Sequence, residues 1–118
     1  MTNAVQVAIA ILIQIESHGN PLAIGRAGEV GILQIRPCII ADVNQAHGTH
    51  YTNYDRFDPF VSIAIAQLWL TDVAKRRGIT DPRKLCYRWN APRTGRPAPG
   101  YVQKVQREYA KQSIGKNQ

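Results

Sequence analysis

The chain has 118 residues, of which 44% are hydrophobic, so it is long enough for one compact domain and too apolar to be a disordered segment. Its net charge of +7 is unevenly placed: residues 75–118 hold twelve basic and two acidic residues, whereas residues 1–74 hold three basic and six acidic. This basic half favours an anionic partner such as nucleic acid, an acidic membrane or a bacterial wall polymer, unless it only keeps the protein soluble.

The first predicted element is a helix over residues 3–17, in which Val5, Ala8, Leu12 and Ile15 recur at three- and four-residue steps. It lacks the positive start and the cleavage site of a signal peptide, and it is too short to cross a bilayer. We therefore interpret it as a core helix and expect no signal peptide and no transmembrane segment in this chain. A glycine-rich loop over residues 18–35 follows.

Prolines and aspartates mark the starts of the later helices. Pro37 suits a first helical position, and Asp58-Pro59 and Asp81-Pro82 each give an N-cap followed by proline. We interpret residues 48–57 as a polar surface loop and 91–99 as a proline-rich loop. The chain is thus predicted to be an all-α single domain over residues 1–118 with about five helices, at 3–17, 37–46, 59–77, 82–90 and 100–113.

Glu16 and the loop after it carry the strongest chemical signal. A carboxylate at the end of an apolar helix is desolvated, which raises its pKa towards the range of a general acid. The glycines of the following loop permit close approach of a ligand, and Gln34 is a polar amide in an apolar segment that either satisfies buried backbone or orients a ligand. A solvated glutamate and turn-forming glycines are the alternative explanation of the same residues.

Three stretches, at residues 16–37, 57–70 and 88–109, carry the sequence patterns that matter most. In this order they resemble the motifs of the soluble lytic transglycosylases, a family of lysozyme-like domains that cut peptidoglycan. Residues 57–70 are similar to its second segment, and 88–95 with 100–109 to its third. The chain departs from the pattern at Gly25, where many members have serine, at Glu29, where alanine is usual, and at Trp89 and Pro92, where tyrosine and glycine are common. The residues that match the first motif without gaps are Glu16, Ser17, Asn20, Pro21, Gly28, Gly31, Gln34, Ile35 and Pro37.

The resemblance implies a lysozyme-like fold around a substrate groove and a mechanism with one carboxylate. Glu16 would protonate the glycosidic oxygen of the MurNAc–GlcNAc β-1,4 bond and then take the proton of the C6 hydroxyl as a 1,6-anhydro ring closes. No cofactor is implied. The candidate substrate-binding residues are Ser17, Gln34, Trp89, Asn90 and Tyr101, although aromatic residues at helix ends are often part of the core.

The sequence also allows other functions. A hydrolytic muramidase would need a second carboxylate, for which only Glu29 qualifies, but its glycine-flanked position predicts a solvated loop residue. A nucleic-acid-binding module lacks a DNA-reading motif, and an inactive lysozyme-like scaffold is opposed by an intact Glu16. Cys38 and Cys86 are too few for a disulfide framework, and His18, His47 and His50 form no metal-ligand set, so none of these residues is predicted to hold a metal.

The expected partners are peptidoglycan glycan strands and the anionic surface of the bacterial cell wall. We expect no nucleic-acid partner and a monomeric protein that acts at the wall, whether secreted, periplasmic or delivered by a phage.

Overall fold

The computed structural model describes residues 4–116, with side chains up to residue 114, and it confirms the all-α prediction. The described part holds five α-helices and one short 3-10 helix. Residue 3, the predicted start of the first helix, lies outside the described residues. The α-helices are α1 (Ala4–Ser17), α2 (Pro37–His47), α3 (Pro59–Arg77), α4 (Pro82–Asn90) and α5 (Tyr101–Lys116), and the 3-10 helix is Asn53–Phe57.

Local signals set the helix starts where the sequence predicted them. The Asp58 side chain accepts hydrogen bonds from the Phe60 and Val61 N–H groups at the start of α3, and Asp81 caps α4 in the same way. The prediction of a surface loop over residues 48–57 is wrong for its second half. There, reciprocal bonds between Thr52 and Asp55 form a capping box that starts the 3-10 helix.

Helix α1 is the centre of the core and packs against α3, α4 and α5. Its residues Ala8, Ile11 and Leu12 are fully buried, which explains why almost its whole circumference is apolar. The rings of Trp69 on α3 and Trp89 on α4 meet edge to face, with centroids 5.6 Å apart. No helix within residues 4–116 is long and apolar enough to cross a membrane.

The loop between α1 and α2 is held by a buried arginine that the sequence reading placed in a surface loop. Arg56 is 7% exposed, and its guanidinium donates to the carbonyls of Gly28 (2.7 Å) and Ile35 (2.8 Å). Gly31 has a φ of +88°, and a Cβ there would lie 2.0 Å from the Arg56 carbonyl oxygen, so only glycine fits. Arg56 and Gly31 thereby fix the loop that follows Glu16.

The two cysteines are free thiols in the structure. Cys86 is fully buried on α4, where its thiol faces the Ala8 carbonyl oxygen at 3.6 Å and burial raises its pKa. Cys38 is half-buried near the start of α2.

Candidate active site

A pocket of about 400 Å³ opens where the end of α1 meets the α1–α2 loop, the end of α4 and the start of α5. Five of the six residues predicted from the sequence line it, and Ser17 lies apart from the lining. Three further charged residues, Glu29, Arg36 and Lys104, line the same pocket. The five predicted residues in the lining are Glu16, Gln34, Trp89, Asn90 and Tyr101.

Glu16 is half-buried in the last turn of α1, with its carboxylate in the pocket. Burial raises the pKa of Glu16 above its ordinary value, and the nearby charge of Glu29 adds to this effect. A hydrogen bond from Tyr101 and the positive charges of Arg36 and Lys104 act in the opposite direction without cancelling the rise. Glu16 is therefore a carboxyl group that holds its proton to higher pH than an exposed glutamate does.

Tyr101 begins α5 and reaches Glu16 across the sequence. Its hydroxyl donates to the Glu16 Oε2 atom at 2.6 Å, and the side chain is almost fully buried. Burial and the neighbouring negative charge raise the pKa of Tyr101, so the phenol remains a hydrogen-bond donor. The sequence suggested a flat face for a sugar ring, and it gave no sign of this contact with Glu16.

Arg36 connects the loop to the end of α4 and was not among the residues predicted from the sequence. Its Nη1 atom donates to the carbonyl oxygens of Asn90 (2.5 Å) and Trp89 (3.4 Å), and its Nε atom lies 3.7 Å from the Glu29 carboxylate. Its position directly before Pro37, at the end of the first motif, was the only available signal. Arg36 thus places a positive charge beside the two acids of the pocket.

The prediction that Glu29 is a solvated loop residue is wrong. Its side chain is only 16% exposed, and the loop folds back on itself where the Gly25 N–H donates to the Glu29 backbone carbonyl at 2.8 Å. One carboxylate oxygen accepts from the Ala27 N–H at 2.8 Å, and the other faces Arg36. The structure therefore brings a second carboxylate into the same pocket as Glu16.

The other predicted residues also have partners within the protein. The Trp89 indole N–H donates to the Leu33 carbonyl at 2.9 Å, and only 3% of this residue is exposed. Asn90 accepts from the Ala98 N–H at 2.8 Å and so shapes the loop before α5. Trp89 and Asn90 hold the wall of the pocket while presenting part of their surface to it.

Gln34 and Ser17 secure the loop in different ways. Gln34 adopts a left-handed backbone with a φ of +49°, and its amide donates to the carbonyls of Ala23 (3.1 Å) and Gly31 (3.0 Å) while the residue lines the pocket. The Ser17 hydroxyl donates to the Ile32 carbonyl at 2.7 Å and accepts from the Gly19 N–H, which leaves it inside the protein. Ser17 thus ties the end of α1 to the loop.

Comparison with protein families gives a match to the family described as the transglycosylase SLT domain, over residues 1–91 of the 118. The chain belongs to this family. The match covers Glu16 and the whole α1–α2 loop and ends at the close of α4, before Tyr101 and α5. No curated protein matches the sequence.

Gly25 and Glu29, two positions of the α1–α2 loop, lie against each other. A Cβ at Gly25 would lie 1.9 Å from the Glu29 Oε1 atom, so a serine at position 25 would require the Glu29 side chain to move. Gly25 and Glu29 are therefore a matched pair, in which the larger acid occupies the space that a residue larger than glycine would take. Within residues 4–116 no cluster of three or more His, Cys, Asp or Glu residues could hold a metal ion.

Proposed function

We propose that this SLT domain cleaves the MurNAc–GlcNAc β-1,4 bond of peptidoglycan strands, with Glu16 as the proton donor. The observation that carries the proposal is the half-buried Glu16 carboxyl, whose pKa is raised and which accepts a hydrogen bond from Tyr101 in a pocket of about 400 Å³. A general acid needs a pKa raised towards its operating pH and a concave site beside it, and Glu16 is a carboxyl group with a raised pKa in such a pocket. The glycan-cleaving type of its family supports the same reaction class.

The chemistry proceeds in two steps at one carboxyl group. Protonated Glu16 gives its proton to the glycosidic oxygen, and the bond from that oxygen to C1 of MurNAc breaks as the substrate's own N-acetyl oxygen stabilises the positive charge. The C6 hydroxyl oxygen then attacks C1, and ionised Glu16 takes the hydroxyl proton as the 1,6-anhydro ring closes. The Tyr101 hydroxyl and Arg36 stabilise the ionised form of Glu16 between the two steps.

The pocket lining suits a saccharide. Polar groups of Gln34 and Asn90 line the pocket and can hydrogen-bond hydroxyls, whereas the Trp89 and Tyr101 rings, 3% and 8% exposed, support the pocket wall. We assign the basic C-terminal half to attraction towards the anionic wall, where we expect the protein to act as a monomer.

Hydrolysis of the same bond is the second candidate, because Glu29 lies in the pocket with Glu16. An inverting hydrolase would use Glu29 to activate a water, which needs the two carboxyl groups roughly 6.5–9.5 Å apart. Both oxygens of Glu29 already face donors, the Ala27 N–H and Arg36, which favours a positioning role for this residue. Transglycosylation therefore remains the first proposal.

Digestion of purified walls in heavy-oxygen water, followed by mass analysis of the fragments, tests the proposal. We expect unlabelled 1,6-anhydro-MurNAc ends and retention of most activity in Glu29→Gln, with Glu16→Gln as the inactive control. Labelled reducing ends together with loss of activity in Glu29→Gln would establish the hydrolase instead. Intact walls after incubation with the unaltered protein would exclude both.

A further inference from the structure

A second groove, of about 270 Å³, lies beside the pocket. It lies between the end of α1, at Gln14, Ile15 and His18, and the α5 face that carries Lys104. Ile15 and Lys104 line both the pocket and this groove, so the two cavities are adjacent. A chain bound at Glu16 can therefore place a substituent in the groove.

The groove is cationic. Lys104, Arg107 and Lys111 contribute three positive charges on successive turns of one helix face, against the single carboxylate of Glu108. Glu108 is already engaged, since it lies 3.9 Å from the Lys111 Nζ atom and accepts a hydrogen bond from Gln112. Within the described part of the chain, Lys104 and Arg107 are exposed and have no carboxylate within ion-pair distance.

We propose that Lys104 and Arg107 bind a carboxylate of the peptide stem carried by the MurNAc residue in the pocket. This inference rests on the proposed function. The sugar rings of the strand carry no formal charge, so two cations without a carboxylate at ion-pair distance suit an anionic substituent of the strand. The stem carboxylates are such groups, and they are covalently attached to the sugar being cleaved. The Gln14 amide in the same groove can hydrogen-bond the peptide groups of the stem.

A phosphate of a wall polymer has similar charge and is the other source of an anion. The stem is favoured because the groove adjoins the Glu16 pocket, with Ile15 and Lys104 lining both. A group tethered to the bound sugar reaches this groove at high effective concentration, whereas a separate polymer would have to bind independently.

The test compares the dissociation constants of two tetrasaccharides, one with peptide stems and one without, for the Glu16→Gln protein, which binds without turnover. We expect the stem-bearing form to bind about fivefold more tightly, the scale that two exposed ion pairs produce. In the same background, Lys104→Gln with Arg107→Gln should abolish this ratio, and Lys104→Arg with Arg107→Lys should keep it. Lys75→Gln with Arg77→Gln, which removes the same charge from the end of α3, is the matched control and should also keep the ratio.

Equal affinity for the two tetrasaccharides would overturn the proposal, as would a ratio that survives in Lys104→Gln with Arg107→Gln. A glycerol phosphate oligomer that binds more tightly than the stem-bearing form, and loses affinity in that same variant, would assign the groove to a wall polymer and overturn the stem assignment. A separate measurement tests the proposed function, which fails if the unaltered chain cleaves neither tetrasaccharide. In that case the ratio of the two dissociation constants still decides whether the groove binds the peptide stem.

Discussion

Replacing Tyr101 by phenylalanine isolates the contribution of one hydrogen bond to the acid–base chemistry of Glu16. The variant keeps the buried ring and removes the hydroxyl that lies 2.6 Å from the Glu16 carboxylate. This bond lowers the pKa of Glu16 against the effect of burial, so its loss raises the pKa further. Activity that depends on protonated Glu16 falls as pH rises through that pKa, and in Tyr101→Phe this alkaline fall must move to higher pH.

The size of the pH shift in Tyr101→Phe follows from the strength of the Tyr101–Glu16 hydrogen bond when Glu16 is ionised and when it is protonated. A hydrogen bond to a charged group contributes about 1.5–3 kcal/mol and one between neutral groups about 0.5–1.5 kcal/mol. The ionised form of Glu16 therefore loses about 1–1.5 kcal/mol more than the protonated form, and at 1.36 kcal/mol per pH unit the alkaline limb moves up by roughly one unit. The turnover rate falls as well, because the ionised carboxylate between the two steps is less stabilised.

The assay is the pH dependence of kcat/KM on soluble glycan fragments for the unaltered chain and for Tyr101→Phe. Tyr109→Phe is the matched control, since Tyr109 lies on the same helix and its ring contacts Arg83 instead of Glu16. An alkaline limb at the same pH in Tyr101→Phe and in the unaltered chain would refute the assignment of Glu16 as the titrating acid held by Tyr101.

Four further predictions follow from the site and the loop that supports it. Glu16→Gln should lower wall clearing by about two or more orders of magnitude, the scale of a lost general acid, and near-full activity in a folded variant would contradict the assignment. The same variant should melt at a higher temperature than the unaltered chain at neutral pH. The pKa of Glu16 is raised above 4.5 in the folded protein, so ionisation of Glu16 lowers the free energy of unfolding as pH rises through that folded pKa. The difference in melting temperature should therefore vanish below pH 4.5. Gly25→Ser should lower both melting temperature and activity, and Gly25→Ser with Glu29→Ala should restore them, whereas failure of the rescue would separate the two positions. Wall binding should weaken as salt rises, because exposed charges are screened beyond about 8 Å at physiological ionic strength, and salt-independent binding would exclude the role of the basic half.

The parts of this fold that the sequence predicts are those determined by neighbouring residues. Proline at the first helical position and an aspartate cap act within one turn, and α3 and α4 start and end where these signals place them. Glu16 could also be singled out, because it ends an apolar helix and stands first in the motif, although its burial depends on how α1 packs. The burial of Arg56 was not, since it depends on carbonyl groups of Gly28 and Ile35, far away in the chain.

The chemistry around Glu16 depends on contacts that local patterns do not encode. Tyr101 is separated from Glu16 by 85 positions, and its hydroxyl reaches the carboxylate only because α5 packs against α1. The prediction for Glu29 was wrong for a related reason. Glycines beside an acid indicate a turn, but they do not show that the carboxylate faces the Ala27 N–H and Arg36. The identity of the acid could therefore be inferred from the sequence, whereas the groups that tune its pKa could not.

The charges around the pocket constrain how one carboxyl group can act first as acid and then as base. Burial and Glu29 favour the protonated form of Glu16, and Tyr101, Arg36 and Lys104 favour the ionised form. With burial and Glu29 alone, Glu16 would hold its proton too tightly to release it to the leaving group. With only the hydrogen bond and the positive charges, Glu16 would seldom be protonated at all. Arg36 acts on both acids. Its charge lowers the pKa of Glu16, and its guanidinium lies 3.7 Å from the Glu29 carboxylate, where it partly offsets that negative charge. The inward position of Glu29, which Gly25 makes possible, is then compatible with a single working acid, because Glu29 helps to keep Glu16 protonated while its own oxygens face the Ala27 N–H and Arg36.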